Sequence, residues 1–156
     1  MESLGASLAQ ATTGGLTVAL CGTLGAGKTT LTRGFLRALG HTGTVKSPTF
    51  TVIEPYDLAR GALYHFDLYR LNDPTELELL GLRDYFSPGA ICLVEWPERG
   101  DGVLPALDLR VEIHYCDQGR SVDIQATTPQ GSNLVETLSA LLHKSNDTTQ
   151  PSTPHN

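Results

Sequence analysis

The sequence has few cysteines, few basic residues and no long hydrophobic run. Cys21, Cys92 and Cys116 form no C-x-x-C pair, so we interpret them as buried free thiols in a reducing cytosol rather than as disulfide partners or metal ligands. Eleven Lys and Arg against 17 Asp and Glu give a net charge of −6, which argues against a broad basic face that grips nucleic acid directly. No apolar run approaches membrane-spanning length, and residues 1–4 do not resemble a secretory signal. We therefore expect a cytoplasmic protein without a membrane partner.

The length and composition are those of one compact domain. A chain of 156 residues with 40% hydrophobic content is long enough to bury a core. From Ser145 onward the sequence is rich in Ser, Thr, Pro and Asn and contains no apolar residue. We therefore predict a single domain over residues 1–144 and a disordered tail over residues 145–156.

Residues 22–29 read Gly-Thr-Leu-Gly-Ala-Gly-Lys-Thr and match the phosphate-binding pattern G-x-x-x-x-G-K-[ST]. In such a loop the backbone N–H groups face phosphate oxygens, Lys28 reaches the β and γ phosphates, and the Thr29 hydroxyl ligates Mg²⁺. The apolar run 16–21 before the loop predicts a strand, and the periodic residues 29–39 after it predict a helix. The alternative is an ordinary glycine turn between a strand and a helix.

The remaining elements follow from periodicity and from turn residues. They are a short helix over residues 2–10, strands over 49–53 and 62–68, a helix over 74–80, a strand over 91–94, a hairpin of 109–115 with 122–126, and a closing amphipathic helix through residues 134–142. Pro55 is expected to close the first of these strands. Asp73 is expected to cap the helix over 74–80, with Pro74 at its first position and Gly81 after its end.

These elements predict an α/β protein. The four consecutive apolar residues 91–94 are typical of a strand buried on both faces, which favours a parallel sheet between layers of helices. The fold class is therefore a P-loop NTPase-like three-layer fold with a mainly parallel core sheet and an added antiparallel hairpin. Ligands of such sheets bind at the carboxyl ends of the strands.

Two acidic residues follow predicted strands at that edge. Glu95 comes directly after residues 91–94, and Asp67 comes directly after residues 63–66. Our hypothesis is that Glu95 assists the Mg²⁺ shell together with Thr29, while Asp67 positions or deprotonates an attacking water. The alternative for Glu95 is a solvated strand-end carboxylate. The alternatives for Asp67 are a residue of a half-exposed strand, a helix cap or a partner of Arg70.

Four further residues are candidates whose roles the residues alone leave open. Thr49 is either a hydroxyl that senses the γ-phosphate or an ordinary strand-start threonine. His65 is either a packing or hydrogen-bonding histidine or a catalyst. Trp96 either lines a nucleotide site or plugs the edge of the core, and Arg120 either lies on the surface or touches the nucleotide.

Four sequence blocks carry a resemblance to a known family. They occur in order as Gly-Thr-Leu-Gly-Ala-Gly-Lys-Thr-Thr at 22–30, Ser-Pro-Thr-Phe at 47–50, Tyr-His-Phe-Asp-Leu-Tyr-Arg at 64–70 and Leu-Val-Glu-Trp-Pro at 93–97. The first block is shared by many families, whereas the third and fourth are quite specific. Together they resemble the bacterial TsaE (YjeE) family, the ATPase component of tRNA threonylcarbamoyladenosine biosynthesis.

The resemblance implies an ATPase that acts with the TsaB–TsaD heterodimer and resets that transferase between turnovers. The complex transfers threonylcarbamoyl to adenosine 37 of tRNAs that read ANN codons, so the chain would meet tRNA only indirectly. The resemblance implies ATP and Mg²⁺ as cofactors, with Thr29 and Glu95 holding the metal and Asp67 needed for hydrolysis, besides Lys28 and Thr49 as catalytic candidates. The resemblance implies that the loop residues Leu24, Gly25, Ala26, Gly27, Lys28, Thr29 and Thr30 bind ATP. Trp96 and Arg120 are added as nucleotide-contact candidates from the residues themselves.

One departure and two rival functions accompany this resemblance. Family members usually have a further strand before the stretch that matches Leu4 and Gly5, so contacts to the base are not carried over. A small-molecule kinase uses the same loop, but no arginine-rich lid is apparent in the sequence. A nucleotide-dependent switch with little turnover is the other rival, and the Asn-Lys-x-Asp motif of guanine-type switches is absent from the sequence.

Overall fold

A computed structural model of the protein describes residues 1–147, which form six strands and five helices. In chain order they are α1 (Glu2–Ala11), β1 (Leu16–Cys21), α2 (Lys28–Ala38), β2 (Ile53–Leu58), β3 (Gly61–Asp67), α3 (Glu76–Leu79), α4 (Leu82–Tyr85), β4 (Ile91–Glu95), β5 (Leu109–Cys116), β6 (Gly119–Ala126) and α5 (Pro129–Asp147). A 3₁₀ turn over Pro97–Gly100 follows β4. Within residues 1–147, no helix has the length and apolar character needed to cross a membrane.

The six strands form one sheet in the order β2-β3-β4-β1-β5-β6. The central strands β3, β4, β1 and β5 run parallel, and the edge strands β2 and β6 pair antiparallel with β3 and β5. The predicted α/β fold class with its mainly parallel core and late hairpin is confirmed. The structure adds a second antiparallel pair, between β2 and β3, that the sequence pattern did not predict.

Helices cover both faces of the sheet, because the buried residues of the strands alternate between two hydrophobic clusters. Leu93 of β4 belongs to one buried cluster together with Leu31 of α2 and residues of α1 and α5. Its neighbours Cys92 and Val94 pack in the second cluster, with residues of α3 and α4. The entire run 91–94 is buried, as expected of a strand between two layers.

Helix α1 lies against α2 with its backbone in close contact. A Cβ atom at Gly34 would lie 2.0 Å from the Glu2 carbonyl oxygen, and one at Gly5 would lie 2.0 Å from the Leu31 carbonyl oxygen. Only glycine fits at such distances. The two helices are therefore in backbone contact along the middle of α2.

The strand predicted over residues 49–53 is wrong. Residues 49–52 form a turn instead, and β2 begins at Ile53 and continues through Pro55. Pro55 is opposite Tyr64 of β3, and among residues 1–147 the only strand that pairs with β2 is β3. A proline cannot donate a ladder hydrogen bond, but an edge strand tolerates it because one side of the strand is unpaired.

The two remaining helix predictions hold with shifted ends. The predicted cap at Asp73 and first helical position at Pro74 are wrong, because α3 starts at Glu76 with Thr75 as its N-cap and has no side-chain capping bond. Asp73 Oδ1 accepts instead from the N–H of Thr75, at 3.0 Å, in the turn before the helix. Helix α5 continues to Asp147, so it includes the first residues of the predicted tail. The rest of that tail, residues 148–156, lies outside the described residues, and the single domain over residues 1–144 stays a prediction.

Candidate functional site

The candidate site is a cavity of about 260 Å³ at the carboxyl ends of β1, β3 and β4. Its walls come from the glycine loop (residues 22–29), the turn at 47–49 and the ends of two strands. The lining residues are Leu24, Gly25, Ala26, Gly27, Lys28, Thr29, Thr30, Ser47, Thr49, Asp67, Tyr69, Glu95 and Trp96. The structure thus brings together all of the predicted ligand-binding and catalytic residues except Arg120, and the open candidate His65 does not line the cavity either.

A larger cavity of about 650 Å³ lies on the other side of the glycine loop, and Gly22, Thr23 and Trp96 contribute to its wall. It is lined mainly by β5, including Arg110 and Glu112, which pair with each other at 2.7 Å. Neither predicted acid nor Lys28 lines it. The predicted acids and Lys28 therefore meet in the smaller cavity, not in the larger one.

The glycine loop depends on backbone conformations that favour glycine. Gly25 and Gly27 have φ angles of 76° and 119°, in the left-handed region. Helix α2 begins immediately afterwards, at Lys28. The N–H groups of a first helical turn have no acceptors within the helix and carry partial positive charge. The loop and the start of α2 together therefore suit an anionic ligand.

Lys28 is a nearly buried cation, with 5% of its surface exposed. Its Nζ donates to the carbonyl oxygens of Gly22 and, at 3.3 Å, Thr23, and it lies 4.0 Å from the ring centroid of Trp96. Burial lowers the pKa of Lys28 from its usual 10.5, while the nearby Glu95 and Asp67 carboxylates act in the opposite direction. The ammonium is held by neutral carbonyl groups of the loop itself, so an anion in the cavity would meet a preplaced positive charge.

Glu95 joins β4 to the start of α2. Its Oε1 accepts a hydrogen bond from the Thr29 hydroxyl at 2.9 Å and lies 2.8 Å from Nε2 of His65. Only 3% of Glu95 and none of His65 is exposed. Of the two roles that the sequence left open for His65, the structure shows the hydrogen-bonding one.

Asp67 lies beside Glu95, because the two residues are register partners in the parallel strands β3 and β4. Its Oδ2 accepts hydrogen bonds from the Ser47 hydroxyl and, at 3.1 Å, from the Thr49 hydroxyl. Its Oδ1 accepts from the Tyr69 N–H at 3.0 Å. Ser47 is a residue of the site that the sequence analysis does not assign, although its Ser-x-Thr spacing to Thr49 is the signal that places both hydroxyls on one carboxylate.

In the described part of the chain, Arg70 is not a partner of Asp67, whose hydrogen bonds come from Ser47, Thr49 and Tyr69. Arg70 lies over the ring of Phe50 instead, with its guanidinium carbon 4.2 Å from the ring centroid. Thr49 lies in the turn before β2 rather than at the start of a strand. Its hydroxyl is directed at Asp67, which leaves the phosphate-sensing role a prediction.

Two residues other than glycine have left-handed backbone beside the site. Val52 (φ 68°) ends the turn that holds Thr49, with its N–H donating to the Pro48 carbonyl oxygen at 2.7 Å. Trp96 (φ 57°) directly follows Glu95. A β-branched residue in this region is a genuine outlier. Such strain is maintained only where the surrounding structure over-determines it, and it clusters at functional sites.

Arg120 lies outside the cavity, against the back of the glycine loop. Its Nε donates to the Ala26 carbonyl oxygen at 3.0 Å and its Nη2 to that of Gly25 at 3.3 Å. The guanidinium carbon of Arg120 lies 3.8 Å from the ring centroid of Tyr115. The Tyr115 hydroxyl donates to the Leu24 carbonyl oxygen at 3.3 Å. The hairpin β5–β6 therefore contacts three consecutive carbonyl groups of the loop, and a direct contact of Arg120 with a nucleotide stays a prediction.

Comparison with known proteins gives consistent relatives over most of the chain. The family described as "Threonylcarbamoyl adenosine biosynthesis protein TsaE" matches residues 1–122. The tRNA threonylcarbamoyladenosine biosynthesis protein TsaE of Haemophilus influenzae is 54% identical over 122 residues, covering 78% of this chain and 77% of that protein. The TsaE protein of Bacillus subtilis is 44% identical over 119 residues, covering 76% of this chain and 74% of the relative.

A solved structure agrees with these relatives. The crystal structure of Bacillus subtilis YdiB superposes with a TM-score of 0.75 at 36% sequence identity, covering 90% of this chain and 87% of the other. The extent of the family match and the identity to the two relatives exceed what a shared fold alone would give. The chain therefore belongs to the TsaE family, which takes part in tRNA threonylcarbamoyladenosine biosynthesis.

Proposed function

We propose that the protein is a Mg²⁺-dependent ATPase that hydrolyses ATP to ADP and phosphate in support of threonylcarbamoyladenosine formation on tRNA. The observation that carries the proposal is the meeting of two acidic strand ends with the start of α2 in one cavity. Glu95 accepts a hydrogen bond from the Thr29 hydroxyl at 2.9 Å, and Asp67 is the register partner of Glu95 in the neighbouring strand. A cation, a hydroxyl and two carboxylates at the end of a glycine loop are the parts that phosphoryl transfer requires.

The phosphate groups would lie along the glycine loop and the first turn of α2. The N–H groups there stabilise negative charge without having to reorganise, since the loop and helix already hold them in place. Lys28 would exchange its bonds to the Gly22 and Thr23 carbonyl oxygens for bonds to phosphate oxygens. A buried ammonium gains more from a phosphate than from a carbonyl group because the hydrogen bond is then charge-assisted on both sides.

Thr29 and Glu95 would hold the Mg²⁺ ion, which when bound neutralises charge on the phosphate oxygens. Both residues offer oxygen ligands, which Mg²⁺ prefers. In the described part of the chain, no cluster of three or more His, Cys, Asp or Glu side chains is arranged to hold a metal by itself. This fits a metal site that the protein and the nucleotide phosphates complete together.

Asp67 would orient the attacking water and accept its proton. The water oxygen forms a bond to the γ-phosphorus while the bond from that phosphorus to the β–γ bridging oxygen breaks, releasing ADP and phosphate. Ser47 and Thr49 both donate to Oδ2 of Asp67 and so fix the carboxylate beside the cavity. Only 3% of Asp67 is exposed, so few solvent molecules compete for it.

The partners that we propose are the TsaB–TsaD heterodimer, with tRNA met only through that complex. Membership of the TsaE family supports this proposal. The acidic net charge of −6 is consistent with a chain that does not grip tRNA over a broad basic face.

Calorimetry and phosphate release together test the proposal. We expect ATP to bind wild-type protein more tightly with Mg²⁺ than with EDTA, and Lys28→Ala to weaken binding by about 10- to 150-fold, the loss of one charge-assisted bond. Lys46→Ala, an exposed lysine, is the matched control. Asp67→Asn should keep ATP affinity and lose phosphate release, while Asp57→Asn on β2 should retain both.

Phosphate release is measured with and without a TsaB–TsaD pair, and we expect slow turnover alone and faster turnover with the pair. No Mg²⁺-dependent affinity for ATP, or equal loss of binding and hydrolysis in Asp67→Asn, would contradict the proposed roles. ATP consumption that matches the formation of a phosphorylated small molecule would favour a kinase instead.

A further inference from the structure

We infer that His65 is a positioning residue, which holds Glu95 through an Nε2–H hydrogen bond and thereby directs the other carboxylate oxygen of Glu95 into the cavity. The inference rests on the proposed function, because it assigns that second oxygen to the Mg²⁺ shell. It concerns a buried histidine to which the proposed steps of hydrolysis give no part.

The two oxygens of Glu95 have different surroundings. Oε1 receives the Thr29 hydroxyl at 2.9 Å and lies 2.8 Å from His65 Nε2. Within residues 1–147, no hydrogen bond reaches Oε2. Glu95 nevertheless lines the cavity. Two partners on one oxygen therefore leave the other free for a ligand in the cavity.

The position of His65 follows from the sheet. Side chains alternate along a strand, so His65 and Asp67 lie on the same face of β3, two residues apart. In the register of β3 with β4, His65 is opposite Leu93 and Asp67 is opposite Glu95. Strand β3 thus supplies both Asp67, the carboxylate proposed to orient the attacking water, and His65, whose imidazole contacts Glu95 of β4.

The hydrogen-bond partners assign the tautomer. A carboxylate only accepts hydrogen bonds, so the 2.8 Å contact requires the proton on Nε2. Nδ1 of His65 is buried and has no partner within the described residues. A hydrogen on Nδ1 would therefore be a buried donor without an acceptor, which proteins avoid. The neutral ring with hydrogen on Nε2 is the arrangement that satisfies Glu95.

Leu and Gln replacements of His65 separate positioning from packing. His65→Leu fills the buried space without a donor, whereas His65→Gln can place an amide N–H near the former Nε2 position. Binding of ATP is measured by calorimetry with Mg²⁺ and with EDTA. Mg²⁺ raises the ATP affinity of the wild-type protein by some factor, and we expect His65→Leu to reduce that factor at least about tenfold, as is usual when a partner of a metal ligand is removed. The affinity measured in EDTA should change little. His65→Gln should keep most of the gain, as should the control His114→Leu on β5.

Nitrogen-15 NMR of the imidazole gives a readout that needs no nucleotide. We expect Nε2 of His65 to be protonated and Nδ1 to be unprotonated in the wild-type protein, which decides the assignment even where His65→Leu fails to fold. The opposite tautomer, or a folded His65→Leu protein that keeps the full Mg²⁺ gain, would overturn the inference. If Mg²⁺ does not raise the ATP affinity of the wild-type protein, the proposed function fails. The NMR measurement of the tautomer then still tests whether His65 donates a hydrogen bond to Glu95.

Discussion

Burial separates the three cysteine side chains into two groups. Cys21 and Cys92 lie inside the sheet, and burial raises the pKa of their thiols to about 11 and about 12 from the usual 9.0. Cys116 is exposed at the end of β5. The sequence interpretation as buried free thiols is therefore confirmed for the first two and wrong for Cys116, which is free but lies where β5 extends past its neighbour β1.

We expect the buried thiols to make the protein less stable at alkaline pH. Unfolded thiols ionise near pH 9 while the folded ones keep their protons, so the free energy of unfolding falls as the pH rises from about 9 towards 12. Cys92→Ala should show a smaller fall than wild type across this range, measured by denaturant unfolding at each pH. Cys116→Ala, as control, should follow the wild-type curve, and equal slopes for all three proteins would contradict the expectation.

Single residues were predictable where their place depended on a strand end. Asp67 and Glu95 follow apolar runs, and the parallel sheet brings them side by side as expected. His65 was not assignable, because its partner depends on the register of β3 with β4, which the sequence does not display. The contact of Arg120 with the loop needed the pairing of β5 with β1, which is equally hidden.

The hairpin β5–β6 is the element that contacts the glycine loop from behind. Arg120 and Tyr115 donate to the carbonyl oxygens of Leu24, Gly25 and Ala26. Carbonyl groups that are held on the outside of a loop keep the neighbouring N–H groups available on its inside. The hairpin therefore stabilises the conformation of the loop from outside, and Arg120 itself does not line the cavity.

We expect Arg120→Ala to weaken ATP binding by about tenfold, because it removes charge-assisted bonds worth about 1.5–3 kcal/mol from an exposed segment. Amide hydrogen exchange of residues 24–27 should become faster in the nucleotide-free variant. Gln118→Ala, in the turn of the same hairpin, is the control and should behave as wild type. Unchanged exchange with weakened binding would instead mean that Arg120 contacts the nucleotide directly.

Elements with strong periodicity were predictable, and the error at the start of β2 has a physical cause. The amphipathic residues of α2 and the four apolar residues of β4 lie where the pattern placed them. At β2 the sequence pattern was overridden, since Pro55 normally ends a strand but is tolerated at the edge of the sheet. Whether a strand lies at an edge depends on the whole topology, which local pattern does not contain.

For the whole molecule, ligand binding should appear as added stability. A ligand that binds only the folded state at 100 times its dissociation constant adds about 2.7 kcal/mol. For a chain of this size we expect Mg²⁺ and ATP to raise the melting temperature by about 5–10 °C. Calorimetric scans should show this rise for wild type and for Lys46→Ala, and only a small one for Lys28→Ala at the same concentrations. An equal rise of the melting temperature in Lys28→Ala would mean that the nucleotide binds away from the glycine loop.

The contact between α1 and α2 has a practical consequence for handling the protein. Met1 lies beside the glycine loop, since a Cβ atom at Gly27 would be 2.9 Å from its Cγ. Any affinity tag or linker joined ahead of Met1 would therefore start beside the glycine loop, next to the site that we propose for the phosphate groups, where it would obstruct a ligand or a docking protein. Preparations tagged behind α5 avoid that interference, and comparing the two kinds of preparation shows whether a weak measured affinity belongs to the protein or to its purification handle.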